Sequence, residues 1–524
     1  MLRRQVCTPG TRVRILDDII RWAKDTSSDS PNVYWLFGHA GSGKSTLAYT
    51  IARRFEFAGD SNDTIILGGN FFCSRQFEET RLSKYIIRTI VYHLALKCKQ
   101  FSDALIRSGR LESITQNLRT QLDGLLFGPW QESEAARLAD TSTPPHYLIV
   151  IDALDEIDGT GGSDFLRDLV NAINKSNEKC LSGLKFFVTS RSDQALVAHV
   201  TSLERKQLYR LQDVKAEEAR ADVATYLNTN LPHFVGRPQM DQLVAQAAGL
   251  FIYAATVVKL LAGRQPLDQK NLLKKLSITS DSAPTQLSLQ DPEFLLNQLY
   301  HQILVDSLGK LGGDERNCRL LFLYTFLCAK EPLSTSSAAS LLFMEDPEET
   351  DPEFSYTKIA DEIFNRLHSV LYVERDKVLS YHKSFSDFIF DHARSGEFWC
   401  DTATHHRLLT ESCFRVMKGL RFNIANIPSS FVFDCDNHAL AGEVERNIPP
   451  VLSYSCRNWD HHLSATKSTP SDPLHETLSG FLQLRALFWI EAMNLLNSRG
   501  RCYPMLQTAH KWVIESKASV VWNE

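Results

Sequence analysis

A glycine-rich segment near the N-terminus constrains the fold of this chain more than any other part of the sequence. Residues 33–37 read VYWLF, and residues 38–45 read GHAGSGKS, which fits the pattern G-x-x-x-x-G-K-[ST]. Glycines have no Cβ, so backbone N–H groups can turn inward around phosphate oxygens, and the helix that follows points its positive end at them. The pattern therefore predicts a buried strand, a phosphate-binding loop and a helix, in that order.

This loop also supplies most of the predicted contacts with a nucleotide. Lys44 is expected to reach the β and γ phosphates, and Ser45 is expected to offer its hydroxyl to Mg²⁺. The structural alternative is an ordinary glycine-rich turn before a helix, but such a turn does not need the Gly-Lys-Ser ending. The predicted nucleotide-binding residues of the loop are Gly38, His39, Ala40, Gly41, Ser42, Gly43, Lys44, Ser45 and Thr46.

A second apolar run ends in carboxylates. Residues 146–156, HYLIVIDALDE, predict a strand that delivers Asp152 to its C-terminal end, where α/β sheets place their ligands. We expect Asp152 to hold Mg²⁺, and Asp155 and Glu156 to orient or deprotonate the attacking water. An acidic turn after a buried strand can also be purely structural. Its position roughly 110 residues after the loop favours one joint site of the Walker A and Walker B type.

Residues 184–191, LKFFVTSR, predict another strand, which ends in Thr189, Ser190 and Arg191. Arg191 could sense the γ phosphate, or it could cap the strand or pair with the Asp155 cluster, and the residues alone favour neither. Further strands are expected at 64–72 and 207–211, and helices at 14–24, 46–57 and 83–98.

The sequence after residue 212 is mostly helical. Helices are expected at 249–261 and 317–329, and a linker at 280–292. Three helical segments followed by short strands at 370–374 and 378–381 have the order of a winged helix. The acid-rich segment at 344–354 argues against DNA as its ligand.

Composition excludes several classes of protein. The chain has 524 residues, 43% hydrophobic and 23% charged, which is typical of soluble globular domains. A net charge of −5 gives no electrostatic reason to expect nucleic acid as a partner. The eleven cysteines include no C-x-x-C pair, and no apolar run is long enough to cross a membrane. These features predict a cytoplasmic protein with reduced thiols and no membrane span.

Two pairs of adjacent histidines raise the question of a further metal site. His405 and His406 form one pair, and His461 and His462 form the other. Neighbouring side chains on a helix point away from each other, and neither pair has the spacing of a ligand set, so no metal is expected there.

The motifs together resemble those of the NACHT-type STAND NTPases, above all the fungal NOD-like receptors and the nephrocystin-type NACHT modules. The matching segments, spread over about residues 5 to 400, are CTPGTR (7–12), WLFGHAGSGKST (35–46), FFCSR (71–75), VIDALDE (150–156), FFVTSR (186–191) and YHKSFSDFI (381–389). The most specific feature is the small Ala153 after the aspartate, followed by Asp155 and Glu156.

The resemblance implies a five-stranded parallel sheet, with the strand that ends at Arg191 between the Walker A and Walker B strands. It also implies a helical domain and a winged helix that close over ADP. Thr11 and Arg12 would then lie near adenine and ribose, and His382 would contact an ADP phosphate. One departure is the sequence after Gly249, where the family often has Gly-x-Pro against the base and this chain has Leu250 and Phe251.

These observations predict an α/β P-loop NTPase domain followed by helical, winged-helix and C-terminal helical regions. The expected bounds are 1–30 for the N-terminal linker and helix, 31–212 for the nucleotide-binding domain, 213–300 for the helical domain, 301–400 for the winged helix and 401–524 for the last helical region.

The leading hypothesis for function is an ATP/ADP-binding signalling switch with slow Mg²⁺-dependent hydrolysis. Its expected partners are further copies of itself and signalling proteins, in pathways that resemble innate immunity or programmed cell death. The alternatives are a P-loop enzyme with steady turnover, and a fragment or decoy of a longer receptor that carries repeats. The residues do not decide between ATP and GTP.

Overall fold

The computed structural model describes residues 4–27, 29–56, 65–140, 145–175, 181–191, 194–201, 206–281, 292–309, 311–343, 355–428, 436–467, 469 and 471–521. The acid-rich segment at 344–354 and most of the predicted linker at 280–292 lie outside these ranges. The chain divides into two compact units, Met1–Leu299 and Tyr300–Glu524. The finer division into five regions stays a prediction.

Parallel strands form the sheet of the first unit. They are β1 (Val33–Phe37), β2 (Ile65–Phe72), β3 (His146–Asp152), β4 (Leu184–Ser190) and β5 (Gln207–Arg210). Across the described part of the chain their order is β2-β3-β4-β1-β5, and all neighbouring pairs are parallel. The predicted five-stranded parallel sheet is confirmed, and β4 lies between β3 and β1 as the resemblance implied.

Strand β1 is buried on both faces of the sheet, and its successive side chains point to opposite faces. Val33, Trp35 and Phe37 belong to one core cluster, whereas Tyr34 and Leu36 belong to the other. None of these five side chains is more than 4% exposed. Burial of a large apolar side chain stabilises the fold by roughly 1.5–3 kcal/mol, so β1 is held mainly by its contacts with the layers on either side.

Helices form those layers. They are α1 (Val13–Lys24), α2 (Lys44–Glu56), α3 (Glu78–Arg81), α4 (Lys84–Lys97), α5 (Lys99–Arg107), α6 (Leu118–Gln121), α7 (Gly128–Glu132), α8 (Glu134–Asp140), α9 (Gly161–Lys175) and α10 (Gln194–Thr201). Ile15 and Ile19 of α1 pack in the same cluster as Leu47 and Ile51 of α2. Each pair has the i, i+4 spacing that puts both residues on one helix face.

A buried lysine links α1 to the sheet. The Nζ atom of Lys185, on β4, donates to the carbonyl oxygens of Trp22 and Asp25 at 2.5 and 2.6 Å, and to Ser30 Oγ at 2.7 Å. Burial lowers the pKa of Lys185 to about 8. The cation therefore stabilises the C-terminal end of α1, where backbone carbonyl groups lack partners within the helix.

The first unit continues as helices α11 (Ala216–Asn230), α12 (Pro238–Ala247), α13 (Phe251–Leu261) and α14 (Pro266–Asp281). The boundary between the two units falls within α15 (Pro292–Leu308). Helix α13 starts two residues later than predicted, because Gly249 has φ of +82° and Leu250 is extended. Helix α11 packs against both α12 and α13.

The second unit is also largely helical. Its elements are α16 (Gly313–Cys328), α17 (Thr335–Leu342), α18 (Tyr356–Arg366), β6 (Leu371–Glu374), β7 (Lys377–Ser380), α19 (Lys383–Ile389), α20 (His392–Ser395), α21 (Thr402–Met417), α22 (Leu440–Asn447), α23 (Pro450–Ser464), α24 (Leu474–Leu484), α25 (Ala486–Leu495) and α26 (Cys502–Val521). Strands β6 and β7 form an antiparallel hairpin after three helices, which is the predicted element order.

Two further sequence expectations concern the chain as a whole. The helices in the described ranges include none that is both long enough and apolar enough to span a membrane. The cysteines of the same ranges are thiols and form no disulfide there.

Candidate functional site

The glycine-rich loop joins β1 to α2 and has the backbone that the motif requires. Gly41 and Gly43 have φ of +74° and +93°, in the region that glycine adopts without strain. Ser42 Oγ donates to the carbonyl oxygen of His39 at 2.9 Å, which closes the turn. Helix α2 begins at Lys44, so its N-terminal N–H groups are directed toward the loop.

Lys44 points back into this loop. Its side chain is largely buried, and Nζ donates to the carbonyl oxygens of Gly38 and His39, both at 2.8 Å. Burial lowers the pKa of Lys44 to about 8, and the carboxylate of Asp155 partly opposes this effect. The ammonium group is thus held where the loop would meet phosphate oxygens.

Asp152 lies at the end of β3 and is fully buried. Its Oδ1 atom accepts a hydrogen bond of 2.6 Å from Thr189 Oγ1, which itself accepts one of 3.0 Å from the Ala153 N–H group. Arg4 Nη1 lies 3.4 Å from Asp152 Oδ2. Thr189 therefore fixes the orientation of the carboxylate by joining the ends of β3 and β4.

The other acidic residues after β3 are held by arginines. Arg191 donates through its backbone N–H group to Asp155 Oδ1 at 3.0 Å, and its Nε atom lies 3.2 Å from Asp155 Oδ2. Arg75 donates to the backbone oxygen of Asp155 at 3.2 Å, and its own N–H group to Glu156 Oε2 at 3.4 Å. Of the roles expected for Arg191, pairing with Asp155 is thus present, while phosphate sensing stays a prediction.

The N-terminal segment also reaches the loop. Thr11 is buried, and its hydroxyl donates to the carbonyl oxygen of Thr8. Arg12 is buried, and its Nη2 atom donates to the Ser42 carbonyl oxygen at 3.1 Å. The Arg12 backbone N–H group donates to Asp222 Oδ1 at 3.1 Å, and its Nε atom lies 3.7 Å from Asp222 Oδ2. Arg12 therefore joins the loop to helix α11.

Helix α13 contacts the loop from another side. The N–H group of Ile252 donates to the Gly41 carbonyl oxygen at 3.3 Å. A Cβ atom on Gly41 would lie 2.2 Å from Ile252 Cγ2, so this close approach requires glycine. The guanidinium of Arg12 lies 4.9 Å from the ring centre of Phe251. Phe251 therefore lies beside the site, although the family's proline is missing from this segment.

His382 caps a helix of the second unit. Its Nδ1 atom accepts a hydrogen bond of 3.1 Å from the Ser384 N–H group and lies 2.7 Å from Ser384 Oγ. This is the usual geometry of a side chain at the N-terminus of a helix, here α19. The expected contact of His382 with ADP stays a prediction.

Several residues near the loop were not predicted. Arg4, Asp222 and Ile252 lie outside the nucleotide-binding motifs. Thr189 was expected at the polar end of its strand, but its hydrogen bond to Asp152 was not predicted. Phe251 had a weaker signal, because it follows the glycine at which this chain departs from the family pattern.

A family model matches the N-terminal part of the chain. Residues 10–191 match the family model described as Nephrocystin 3, N-terminal, and the rest of the chain lies outside that match. No curated protein matches the chain. Together with the strand order and the loop geometry, the family match identifies residues 10–191 as a P-loop NTPase-like module.

Solved structures resemble the chain only loosely. The Aeropyrum pernix ORC2 protein in its ADPNP-ADP complexes is 13% identical, with a TM-score of 0.35, and the match covers 78% of this chain and 96% of that one. Its ADP form is 12% identical, with a TM-score of 0.32 and coverage of 70% and 96%. Drosophila ORC bound to DNA is 13% identical, with a TM-score of 0.28 and coverage of 70% and 84%.

Proposed function

We propose that this chain is an ATP/ADP-binding signalling switch of the NACHT class, with slow Mg²⁺-dependent hydrolysis. Nucleotide binding is supported by the loop between β1 and α2, in which Gly43 has open space where a side chain would lie, beside the buried ammonium of Lys44. The predicted loop residues 38–46 would hold the phosphates, with Thr11 and Arg12 on the side of the base and ribose.

The residues around Asp152 fit a magnesium ion. Mg²⁺ prefers oxygen ligands, and the buried Asp152 carboxylate is held in place by Thr189, while Ser45 lies in the first turn of α2. Ser45 and Asp152 would hold the ion, which supplies positive charge to the phosphate oxygens. Asp155 and Glu156 would orient the attacking water, and Arg191 would exchange its pairing with Asp155 for the γ phosphate.

One observation carries the proposal of a switch: the loop is hydrogen-bonded to the helices that follow the sheet. Ile252 of α13 donates directly to Gly41, and Arg12 joins Ser42 to Asp222 of α11. A ligand shifts an equilibrium between two conformations only by binding them with different affinity. Phosphates that move the backbone at Gly41 or Ser42 would change the stability of both links, so ADP and ATP would favour different positions of α11 and α13.

Hydrogen–deuterium exchange of the full chain tests this proposal. Peptides from α11 and α13 are expected to exchange at different rates with ADP and with a non-hydrolysable ATP analogue, whereas peptides from α5 serve as a control. Equal exchange rates with both nucleotides would contradict the switch, although the chain could still bind nucleotide. The nucleotide retained on purification, identified by chromatography after denaturation, tests the choice between adenine and guanine.

Asp152→Asn is expected to reduce hydrolysis more than nucleotide binding. Asparagine keeps an acceptor for Thr189 Oγ1, while the charge that would hold Mg²⁺ is lost, and backbone amides of the loop still bind the phosphates. Turnover and ADP affinity are measured for this variant and for Asp103→Asn, which changes an exposed aspartate of α5. If Asp152→Asn hydrolyses ATP at the parent rate, Asp152 does not hold the metal ion.

The turnover of the parent protein tests the alternative function. Hydrolysis of many ATP molecules per minute without a partner would favour an enzyme with steady turnover.

Two substitutions at His382 separate its capping role from the proposed contact with an ADP phosphate. Asparagine also caps helices, so His382→Asn keeps the acceptor for the Ser384 N–H group, and His382→Ala removes it. If the imidazole contacts the phosphate, both variants lose a hydrogen bond of about 1–3 kcal/mol, and stopped-flow measurement shows ADP release roughly five- to a hundredfold faster. If His382 is only a cap, release is unchanged in both and only His382→Ala melts at a lower temperature.

The proposal also includes partners and location. A switch of this class would act in the cytoplasm by forming assemblies with copies of itself and with signalling proteins, in innate-immunity-like or cell-death signalling, without a nucleic-acid ligand. The three helices and hairpin of residues 313–380 would serve as its winged helix.

A further inference from the structure

Three histidines from two helices of the second unit meet around one point. His406 of α21 lies beside both His461 and His462 of α23, with its ring centre 5.5 and 5.1 Å from theirs. One ring nitrogen from each of the three side chains lies within 4.8 Å of the others. The sequence predicts no metal at these residues, because neighbouring side chains on a helix diverge. In the structure a third imidazole from another helix approaches both members of the pair.

The hydrogen bonds of His462 orient its ring toward His406. His462 is fully buried, and its Nε2 atom lies 2.8 Å from the hydroxyl of Tyr454, which accepts a hydrogen bond of 3.2 Å from the Lys330 N–H group. If Nε2 carries the proton and donates to Tyr454, Nδ1 keeps its lone pair and faces His406 Nδ1 at 2.8 Å. A histidine that binds metal usually has its second nitrogen held by such an oxygen.

We propose that His406, His461 and His462 bind one divalent transition-metal ion, with Zn²⁺ as the expected metal. Imidazole ligands favour zinc and its transition-metal neighbours, whereas Mg²⁺ and Ca²⁺ require oxygen ligands. Three protein ligands leave a fourth position of the tetrahedral ion for water or another small ligand. The bound ion links α21 to α23, and this site is independent of the nucleotide site proposed for the first unit.

Metal binding requires the three rings to shift. Two nitrogens bound to one tetrahedral zinc, each at 2.0–2.1 Å, lie about 3.3 Å apart. The Nδ1 atoms of His406 and His462 are 2.8 Å apart, so these two rings separate by about half an ångström. The His461 nitrogen lies within 4.8 Å of the others and moves closer to them by up to about 1.5 Å. His406 and His461 are half-buried, which gives the ion a route from solvent.

Metal titration of the full chain tests the site. The protein is stripped with a chelator and titrated with Co²⁺, whose absorption reports tetrahedral nitrogen ligation, and then with Zn²⁺ in competition. Excess Mg²⁺ is present throughout, so that sites with oxygen ligands are occupied. We expect one equivalent of Co²⁺ or Zn²⁺ per chain, and a higher melting temperature with Zn²⁺.

The variants are His461→Ala and His406→Gln, each of which removes one ligand, and Tyr454→Phe, which removes the group that orients His462. The first two are expected to weaken binding more than tenfold and to abolish the Co²⁺ spectrum, and Tyr454→Phe to weaken it roughly 10- to 100-fold. His510→Ala, which changes an exposed histidine of α26, is the matched control and should bind like the parent.

The competing explanation is a network of hydrogen bonds among His406, His462 and Tyr454 that needs no ion. It predicts that the stripped parent protein takes up no equivalent of Zn²⁺ under these conditions, a result that overturns the proposal without any variant. Binding by the parent that is equally strong in folded His461→Ala and His406→Gln proteins also overturns it, because the ion would then lie elsewhere.

Discussion

Lys44→Ala is expected to lose binding of both ADP and ATP by roughly 10²- to 10⁴-fold, because it removes charge-assisted hydrogen bonds of about 1.5–3 kcal/mol each to the β and γ phosphates. The stability of the loop should change little in this variant. Lys44 donates to the Gly38 and His39 carbonyl oxygens in the structure, and water can replace a donor at this half-open loop. Affinity is measured by displacement of a fluorescent nucleotide, with Lys97→Ala, an exposed lysine of α4, as the control.

The pH dependence of binding provides a second measurement on the same lysine. Burial lowers the pKa of Lys44 to about 8, and a bound phosphate raises it again by stabilising the ammonium form. Below pH 8 the lysine is already protonated, so affinity does not depend on this group. Above pH 8 binding must take up a proton, and affinity for ADP should fall by about tenfold per pH unit. Lys44→Ala should lack this decline. A parental affinity that is flat from pH 7 to 10 would contradict the assignment.

The sheet was predictable from sequence because local patterns determine it. Strands β1, β3 and β4 are apolar runs that end in a polar or glycine-rich motif, and burial of Tyr34 and Trp35 on opposite faces follows from their alternation. The order of the strands came from the family resemblance, since residue patterns alone do not state which strands are neighbours. That order places Thr189 beside Asp152.

The contacts that complete the candidate site were not predictable in the same way. Arg12 and Asp222 are 210 positions apart, and neither lies in a pattern that requires a partner. The approach of the histidines of α21 and α23 was not predicted, because adjacent residues on one helix diverge. Only the packing of α21 against α23 brings His406 to His461 and His462. Such contacts depend on how elements pack, which periodicity does not encode.

Asp222→Ala is expected to release helix α11 from the N-terminal segment, and it has the largest expected effect on the structure of the first unit. The Arg12 side chain is 6% exposed and that of Asp222 11%, so loss of the carboxylate leaves a buried guanidinium without its counterion. Removal of one partner from a buried ion pair costs about 3–5 kcal/mol. Opening of α11, measured by hydrogen–deuterium exchange, should therefore become at least roughly 100-fold more frequent.

Glu218→Ala is the matched control for this prediction, because Glu218 lies on the same helix and pairs with Arg14 of the same N-terminal segment. Arg14 is 74% exposed, and such a pair contributes about 0.2–1 kcal/mol, so exchange in α11 should rise only a fewfold. Asp222→Asn keeps an acceptor for the Arg12 N–H group and should fall between the two. In the proposed switch, ADP slows hydrogen exchange in α11 of the parent. Asp222→Ala should lose this protection but still bind ADP, because its P-loop is unchanged.

Two outcomes would contradict this prediction. Equal exchange in Asp222→Ala and Glu218→Ala would show that the buried pair does not hold α11. Protection by ADP that persists in Asp222→Ala would mean that the loop affects α11 by another route.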